Sequence, residues 1–570
     1  MNSDNNRNLL LAILLSVIVI LGWSFVSRHF FPAANPPTTK VVDGKTVPVA
    51  NPGADPAADS PAALRNRAVV LRESPRVAIR NSRVAGTISL KGARIDDLVL
   101  STYKETLAKD SPPIRLLSPA GAADAYYAAF GWSGEGVTLP GPDTVWAADA
   151  TELTPARPVT LSWTNPQGIR FAIRIALDDV YLFTVTQTVA NGSGGAAGVR
   201  PYALLSRVGH SKDPDSWTAH AGPMGVFNGA ANYGPDYKDL DKGETEGTHF
   251  ASTGGWLGFS DKYWLTALSP LPNARVEANF RGANSRYQAD LAGQTRIVPP
   301  GRSYSQDVRF FAGAKEVALL DQYEKASAIP MFDRAIDWGW FYWFERPIFW
   351  LLDALFKAVG NFGVAILLLT CIIRLLMFPV ANKQFASMAG MRVVQPKMKE
   401  LQERYKDDKA RLQQEMLELY KREKVNPLAG CLPIVLQIPI FYALYKVLLL
   451  TIEMRHQPFA LWLKDLSAPD PMTPVNLFGL LAFTPPPMIG IGVLPILLGI
   501  TMYLQFKLNP ASPDPVQQQV FSIMPWVMMF FFAPLAAGLQ LYYVMNNLLS
   551  IAQQRFLYSR HPALKTAPTK

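Results

Sequence analysis

AVGNFGVAILLLTCIIRLLMFPVAN, residues 358–382, lies between Lys357 and Lys383 and carries one charge, Arg374. The run is long and apolar enough to read as a transmembrane helix. A guanidinium keeps its proton in a protein. Placed mid-helix in hydrocarbon it costs about 2.5 kcal/mol on insertion scales and about 10 or more in simulations. Such a residue either reaches the nearer membrane face along its flexible stem or serves a function. Arg374 lies nine residues before Lys383, roughly 13 Å along a helix, so its position alone supports both readings equally.

On the C-terminal side, QFASMAGMRVVQPKMKELQERYKDDKARLQQEMLELYKREK spaces Met398, Leu401 and Tyr405 three and four residues apart. Leu412, Met416 and Leu419 repeat the spacing beyond Asp407-Asp408-Lys409. This pattern predicts a helical hairpin over 383–425 with a narrow apolar seam, supported by the i,i+4 pairs Glu400/Arg404 and Glu418/Arg422. Lys383 to Lys424 hold eleven Lys/Arg against seven Asp/Glu, an excess that puts the hairpin on the cytoplasmic side. Further spans are expected at 426–452 and 489–507, joined by a periplasmic Pro-rich loop at 453–488. A cytoplasmic loop at 508–519 follows. Pro515 to Gln554 is uncharged. One helix of that length would measure roughly 60 Å, twice the hydrocarbon core. Pro534-Leu-Ala-Ala-Gly538 supplies a break, so 520–558 reads as two short spans, which favour local thinning of the bilayer. Residues 559–570 form a short basic cytoplasmic tail.

On the N-terminal side, 326–357 contains DRAIDWGWFYWFERPIFWLLDALFK, aromatic residues interleaved with Asp337, Glu345, Arg346 and Asp353. Such a segment suits an amphipathic helix lying in the membrane–water boundary. Residues 64–325 show β-branched alternation broken by Gly, Asn and Pro, the pattern of a large all-β sandwich. A Pro/Ala-rich linker at 32–63 precedes it. Residues 1–31 include the uncharged stretch Asn8 to Ser27, followed by Arg28-His29-Phe30-Phe31 and no small-residue cleavage site, hence an uncleaved transmembrane anchor. The expected architecture is an α-helical polytopic membrane protein of six transmembrane helices, five forming the core, plus an all-β periplasmic sandwich. Both termini are then cytoplasmic.

Composition agrees with a membrane part joined to a sizeable soluble part: 570 residues, 49% hydrophobic and 18% charged. The net charge of +10 suits anionic lipid at cytoplasmic loops, and no motif for direct nucleic-acid readout occurs. The two cysteines, Cys371 and Cys431, lie in or beside apolar runs. The β region therefore holds neither a disulfide nor a cysteine metal site.

No enzyme signature is present, among them nucleophile elbows, zinc-binding helices, phosphate loops and dinucleotide fingerprints. His210, His220 and His249 lack ligand spacing. Trp217, Trp256 and Trp264 could stack on sugars, although packing is the commoner role of such residues. No catalytic residue, metal or cofactor is expected. The polar residues of the apolar spans are the candidates instead. Thr370 is one turn before Arg374 and shares its face. Gln437 lies mid-span, and Gln540, Tyr542, Tyr543, Asn546 and Asn547 cluster in the last apolar segment. Each alone suits a helix–helix hydrogen bond; together with Arg374 they suit one wet cavity. Lys446 sits near a helix end and is read as reaching for the membrane face.

The segments TCIIRLLMFPVANKQFASMAGMRVVQPKMKELQERYKDDKARLQQEM, LYKREKVNPLAGCLPIVLQIPIFYALY, PFALWLKDLSAPDP and GLQLYYVMNNLLSIAQQ resemble the YidC-type membrane protein insertases of Gram-negative bacteria. The resemblance covers about Phe341 to Tyr558; that of the anchor, linker and β region is architectural. It implies an insertase and chaperone for integral inner-membrane proteins, with a hydrated groove open to the cytoplasm and to lipid. It implies a groove arginine at Arg374 and groove polarity and substrate contact at Thr370 and Tyr543; Gln437, Gln540, Tyr542 and Asn546 join them as groove candidates from the reading of the apolar spans. It also implies nascent membrane proteins and the Sec translocon as partners, and ribosome or signal recognition particle components at the hairpin. The tail SRHPALKTAPTK departs from relatives with long Lys-rich tails, which argues against tail-mediated ribosome binding. A transporter or channel is the rival reading, but neither an inverted repeat nor paired broken helices occur. A membrane-tethered glycan-binding protein is the second rival, motivated by the β region.

Overall fold

The structure is a computed structural model that describes residues 40–42, 45–47, 65–211, 220–243, 248–405, 408–423, 432–481, 483, 490–508 and 515–560. The expected anchor at 1–31, Trp217, Cys431 and the tail beyond Arg560 lie outside these residues. Within the expected linker, Lys40–Val42 and Lys45–Val47 pair antiparallel. The chain divides into two units at Asp337/Trp338.

The first unit is built from two large sheets. One runs in the order 230–232, 222–227, 256–260, 264–270, 303–314, 182–191, 169–177, 159–164, 147–148. The other runs 249–253, 275–283, 286–292, 197–208, 126–133, 94–104, 84–89, 76–80, 152–153, with 296–298 and 113–117 pairing off that path. Alternation in sequence sets the faces: in IRFAIRIAL, Ile169, Phe171, Ile173, Ile175 and Leu177 are buried while Arg170 and Arg174 are exposed, as the two-residue period of a strand requires. Asp178 turns this strand into Leu182–Asn191 by accepting from the amides of Val180 and Leu182, both at 2.9 Å. The sheets meet through aromatic pairs, Trp132 on Phe171 at 5.1 Å and Phe130 on Phe310 at 6.3 Å. Gln187 bridges them, its Nε2 donating to Gly131 O at 2.7 Å. Trp256 is buried and donates to Pro330 O at 3.1 Å; it is a core residue.

Arg207, Asp290 and Asp96 are buried charges of this unit with charged partners. Arg207 meets Asp261 at 2.9 Å and lies over the Tyr126 ring. Asp290 is fully buried, accepts from Asn279 and Gln288 at 2.9 Å each and has Arg281 at 3.7 Å. Asp96 is buried against Arg76; burial pushes its carboxyl up to about 6 despite that partner.

The second unit is helical: α1 (Tyr342–Val359), α2 (Phe362–Leu376), α3 (Phe378–Arg404), α4 (Lys409–Arg422), α5 (Leu432–Leu450), α6 (Val493–Leu508), α7 (Pro515–Phe532) and α8 (Ala537–Arg560). Within the expected amphipathic segment 326–357, the long helix α1 begins only at Tyr342. It buries Phe349, Leu352 and Glu345 and exposes Trp343 and Trp350. The run 358–382 is not one helix. Gly360, at φ 70°, ends α1, and Asn361 caps α2 by accepting from Val364 N at 3.0 Å. Helix α2 stops before Met377 and α3 begins with Pro379 in its first turn, where a missing N–H is tolerated. The α3–α4 hairpin buries Val394, Met398 and Leu419, with Leu401, Met416 and Tyr420 packed on them. Lys397 and Glu423 close it at 2.8 Å. The chain breaks between α7 and α8 at Ala533–Ala536, the Pro534 segment.

The connection between α5 and α6 ties helix beginnings together. Asn361 Nδ2 donates to Phe459 O at 2.8 Å, and the Phe459 ring fills the space a side chain at Gly363 would need. Ala537 N and Gly538 N donate to Ala468 O and Leu466 O at 2.8 and 2.9 Å. Asp470 accepts from Leu494 N at 2.8 Å and from Trp462 Nε1 at 2.9 Å. One connection thus fastens the N-terminal ends of α2, α6 and α8, the ends that carry unpaired amides.

Among the described residues no helix is both long and apolar enough to cross a membrane by itself. Helix α2 has 15 residues and α6 has 16, about 22–24 Å against the ~30 Å hydrocarbon core. Helix α8 reaches 24 residues by including Gln540, Asn546, Asn547, Ser550, Gln553 and Gln554, so the two final segments are not both short. The expected count of six spans is not carried by helix length.

Candidate functional site

Arg374 lies in the last turn of α2 and faces α8. Its Nε donates to Asn546 Oδ1 at 2.8 Å and its Nη2 to Asn546 O at 3.1 Å, while Nη2 also donates to Ser550 Oγ. Ser550 in turn donates to Asn546 O at 2.7 Å. The i,i+4 spacing of Asn546 and Ser550 stacks them on one face of α8. The guanidinium is thus met by an amide, a carbonyl and a hydroxyl. No carboxylate of the described residues lies within ion-pair distance, and its Nη1 bonds no described residue. Neutral dipoles orient the charge without cancelling it, so it remains able to attract an anion.

The other expected residues separate into groups. Thr370 is fully buried, and its hydroxyl donates back to Ile366 O at 2.7 Å, within its own helix. Gln437 of α5 donates to the Tyr542 hydroxyl at 2.7 Å, joining α5 to α8. Tyr543 packs its ring on Phe532 at 4.7 Å and Phe441 at 5.3 Å. Gln540 turns away from Arg374: its Nε2 donates to Phe532 O and Leu535 O at 2.9 and 2.8 Å, serving carbonyls left bare where α7 ends. Asn547 points to α6, donating to Thr501 Oγ1 at 3.2 Å. Lys446 is 2% exposed, packed inside the unit rather than reaching outward.

Ser550 was not singled out by sequence. Its signal is the four-residue step from Asn546, readable only once Asn546 is known to face an arginine. Gln554, which donates to Leu508 O at 3.1 Å, extends the polar side of α8 another turn.

In the β-rich unit the described histidines each have partners of their own. His210 contacts Tyr287 Oη at 2.6 Å and Asp241 at 3.3 Å, His220 contacts Pro223 O at 2.9 Å, and His249 contacts Asn279 Oδ1 at 2.6 Å. Among the described residues no group of His, Cys, Asp and Glu gathers in a way that could hold a metal ion.

Two family models match the chain: the YidC periplasmic domain over residues 76–351 and the 60Kd inner membrane protein over 354–564. Membrane protein insertase YidC of Zymomonas mobilis is 51% identical over 562 residues, which cover 98% of this chain and 96% of that protein. The chain belongs to the YidC family of membrane protein insertases. The YidC of Rhizobium johnstonii is 44% identical over 577 residues, again covering 98% of this chain and 96% of the relative. A solved structure described as an active YidC insertase with its first transmembrane domain resolved aligns over 95% of this chain and 98% of its own, at 18% identity and TM-score 0.37. Membership makes this an insertase of the bacterial inner membrane with a periplasmic domain, and places Arg374 and its α8 partners within the inner membrane protein match.

Proposed function

We propose that this YidC-family chain inserts its clients by holding the polar or acidic part of a client segment near Arg374 while the client's apolar helix moves into lipid. The observation that carries this reading is the guanidinium held by Asn546 and Ser550 with no carboxylate of the described residues in ion-pair range. A fixed positive charge in a wet cavity shortens the path a polar segment must make through hydrocarbon. Burial of the client's apolar residues, up to about 0.6 kcal/mol each on the insertion scale, supplies the driving force. Tyr542, held by Gln437, and Tyr543 stand beside this path, and Thr370 shares the arginine's face of α2.

The same reading carries the finer topology: six spans, both termini cytoplasmic, and the β-rich unit in the periplasm. The basic excess of the α3–α4 hairpin supports it. Nascent membrane proteins are the substrates, the Sec translocon is a partner for some of them, and the hairpin meets ribosome or targeting components. No step in this scheme makes or breaks a covalent bond.

An insertion assay in proteoliposomes tests the reading. Arg374→Ala should lower insertion of clients with acidic translocated segments about tenfold, the equivalent of roughly 1.4 kcal/mol. Arg374→Lys should retain much of the activity, because charge matters here more than fork geometry. Equal activity of Ala and wild type removes Arg374 from the mechanism.

A further inference from the structure

No charged residue occurs between Asp470 and Lys507. Within this stretch Leu477, Phe478, Leu480 and Leu481 all stand exposed, Leu480 by 84%. The turn that carries them is tightly built. Thr473 and Asn476 cap each other reciprocally around Pro474–Asn476. Asn476 is buried, accepts from Gly479 N at 2.9 Å and donates to Pro471 O at 3.3 Å. The amides of Leu477, Phe478, Gly479, Leu480 and Leu481 donate to carbonyls within the turn, those of Pro474, Thr473, Asn476, Leu477 and Asn476, at 2.8–3.3 Å. Leu477 and Phe478 adopt left-handed φ of 50° and 57°, a conformation that large L side chains rarely take.

In water the exposed apolar side chains are unfavourable, and the internal bonds of the amides gain little over bonds to solvent. In hydrocarbon both properties are required: apolar side chains outward and every backbone polar group bonded within the chain. We propose that the turn Thr473–Leu481 is a lipid-embedded wedge, seated in the acyl region of the leaflet at the end of the helical unit where α2, α6 and α8 begin. Helix α6, which follows in the chain, also exposes apolar side chains, Leu497, Ile500 and Leu504, of the kind lipid covers in an inner-membrane protein. The preceding Asp470 is buried, its carboxylate accepting from Leu494 N, Trp462 Nε1 and Met472 N, which ties it into the helical unit and keeps it from standing bare at the base of the wedge. The inference rests on membership of an inner-membrane family and not on the role of Arg374.

Spin labels report the depth directly. Single cysteines are placed by Phe478→Cys, Leu480→Cys and, as a control on the same connection, Lys464→Cys, each in the full chain carrying Cys371→Ser and Cys431→Ser. The variants are reconstituted in vesicles of phosphatidylethanolamine and phosphatidylglycerol. Labels at 478 and 480 should be relaxed several-fold more by oxygen than by a nickel chelate, with the order reversed at 464. Nickel access at 478 and 480 equal to that at 464 marks a water-exposed loop and overturns the proposal. Loss of access to both reagents marks cover by a second copy of the chain and overturns it equally. The two positions report independently, so a misfolded variant at one leaves the other decisive.

Discussion

Arg207 in the β-rich unit meets Asp261 at 2.9 Å over an aromatic ring, whereas Arg374 in the helical unit meets, among the described residues, only the amide and carbonyl of Asn546 and the hydroxyl of Ser550. Both guanidiniums are held by several contacts. In the first the partner cancels the charge, and the pair is part of the core. In the second the partners fix direction and leave the charge in place. The contrast separates two settings of a held cation: cancelled, it holds a fold together; uncancelled, it is free to act as the proposed function requires.

The comparison breaks first, and with the largest effect, at Asp261. Asp261→Ala leaves Arg207 buried without its carboxylate and should destabilise the β-rich unit by about 3–5 kcal/mol in urea unfolding. The double substitution Arg207→Met/Asp261→Leu should recover most of that loss; failure to recover would mean that the pair acts through something other than mutual cancellation. Next comes Asn546→Asp, which gives Arg374 the kind of partner Arg207 has while keeping an acceptor at the same place. Insertion of acidic clients should fall nearly as far as in Arg374→Ala, about tenfold, with the helical unit no less stable. Undiminished insertion by this variant would show that the net charge at the site is irrelevant.

The smallest effect is a pH dependence in the β-rich unit. Asp96 has its carboxyl raised to about 6 by burial, outweighing Arg76, against about 3.9 in an unfolded chain. The native state therefore holds this proton more tightly than the unfolded state. Its contribution is full below about pH 4 and is lost as pH rises through 6, at most about 3 kcal/mol. Hydrogen exchange of the Arg94–Lys104 amides should quicken over that interval, and Asp96→Asn should flatten the response. An unchanged profile in the Asn variant would assign the effect to another group.

Sequence carried the architecture well where periodicity is strong. The Arg170/Arg174 alternation, the Met398 and Leu419 seam and the Pro534 break each follow from one local rule. Partnerships were harder to read. Gln540 looked like a cavity residue by type and place, yet it lies just past a helix end whose carbonyls needed donors. Lys446 looked like a residue at a membrane face because its position along α5 is terminal, but its packing depends on neighbouring helices that periodicity does not assign. Residues 453–488 read as a Pro-rich loop, although its Asp470, Leu466 and Phe459 fasten three helix ends. Such contacts connect residues far apart in sequence and leave no local signature.

That fastening also gives the helical unit a mechanics. Helices α2 and α8 begin at the same clasp, and Arg374 and Ser550 lie twelve residues beyond Phe362 and thirteen beyond Ala537, about 18–20 Å along each axis. A pair of rods pinned at one end is a lever. A splay of roughly 10° at the pin would separate the far points by about 3 Å over that arm length, enough to part a guanidinium from a hydroxyl. The hydrogen bonds of Arg374 sit where the smallest angular motion has its greatest reach.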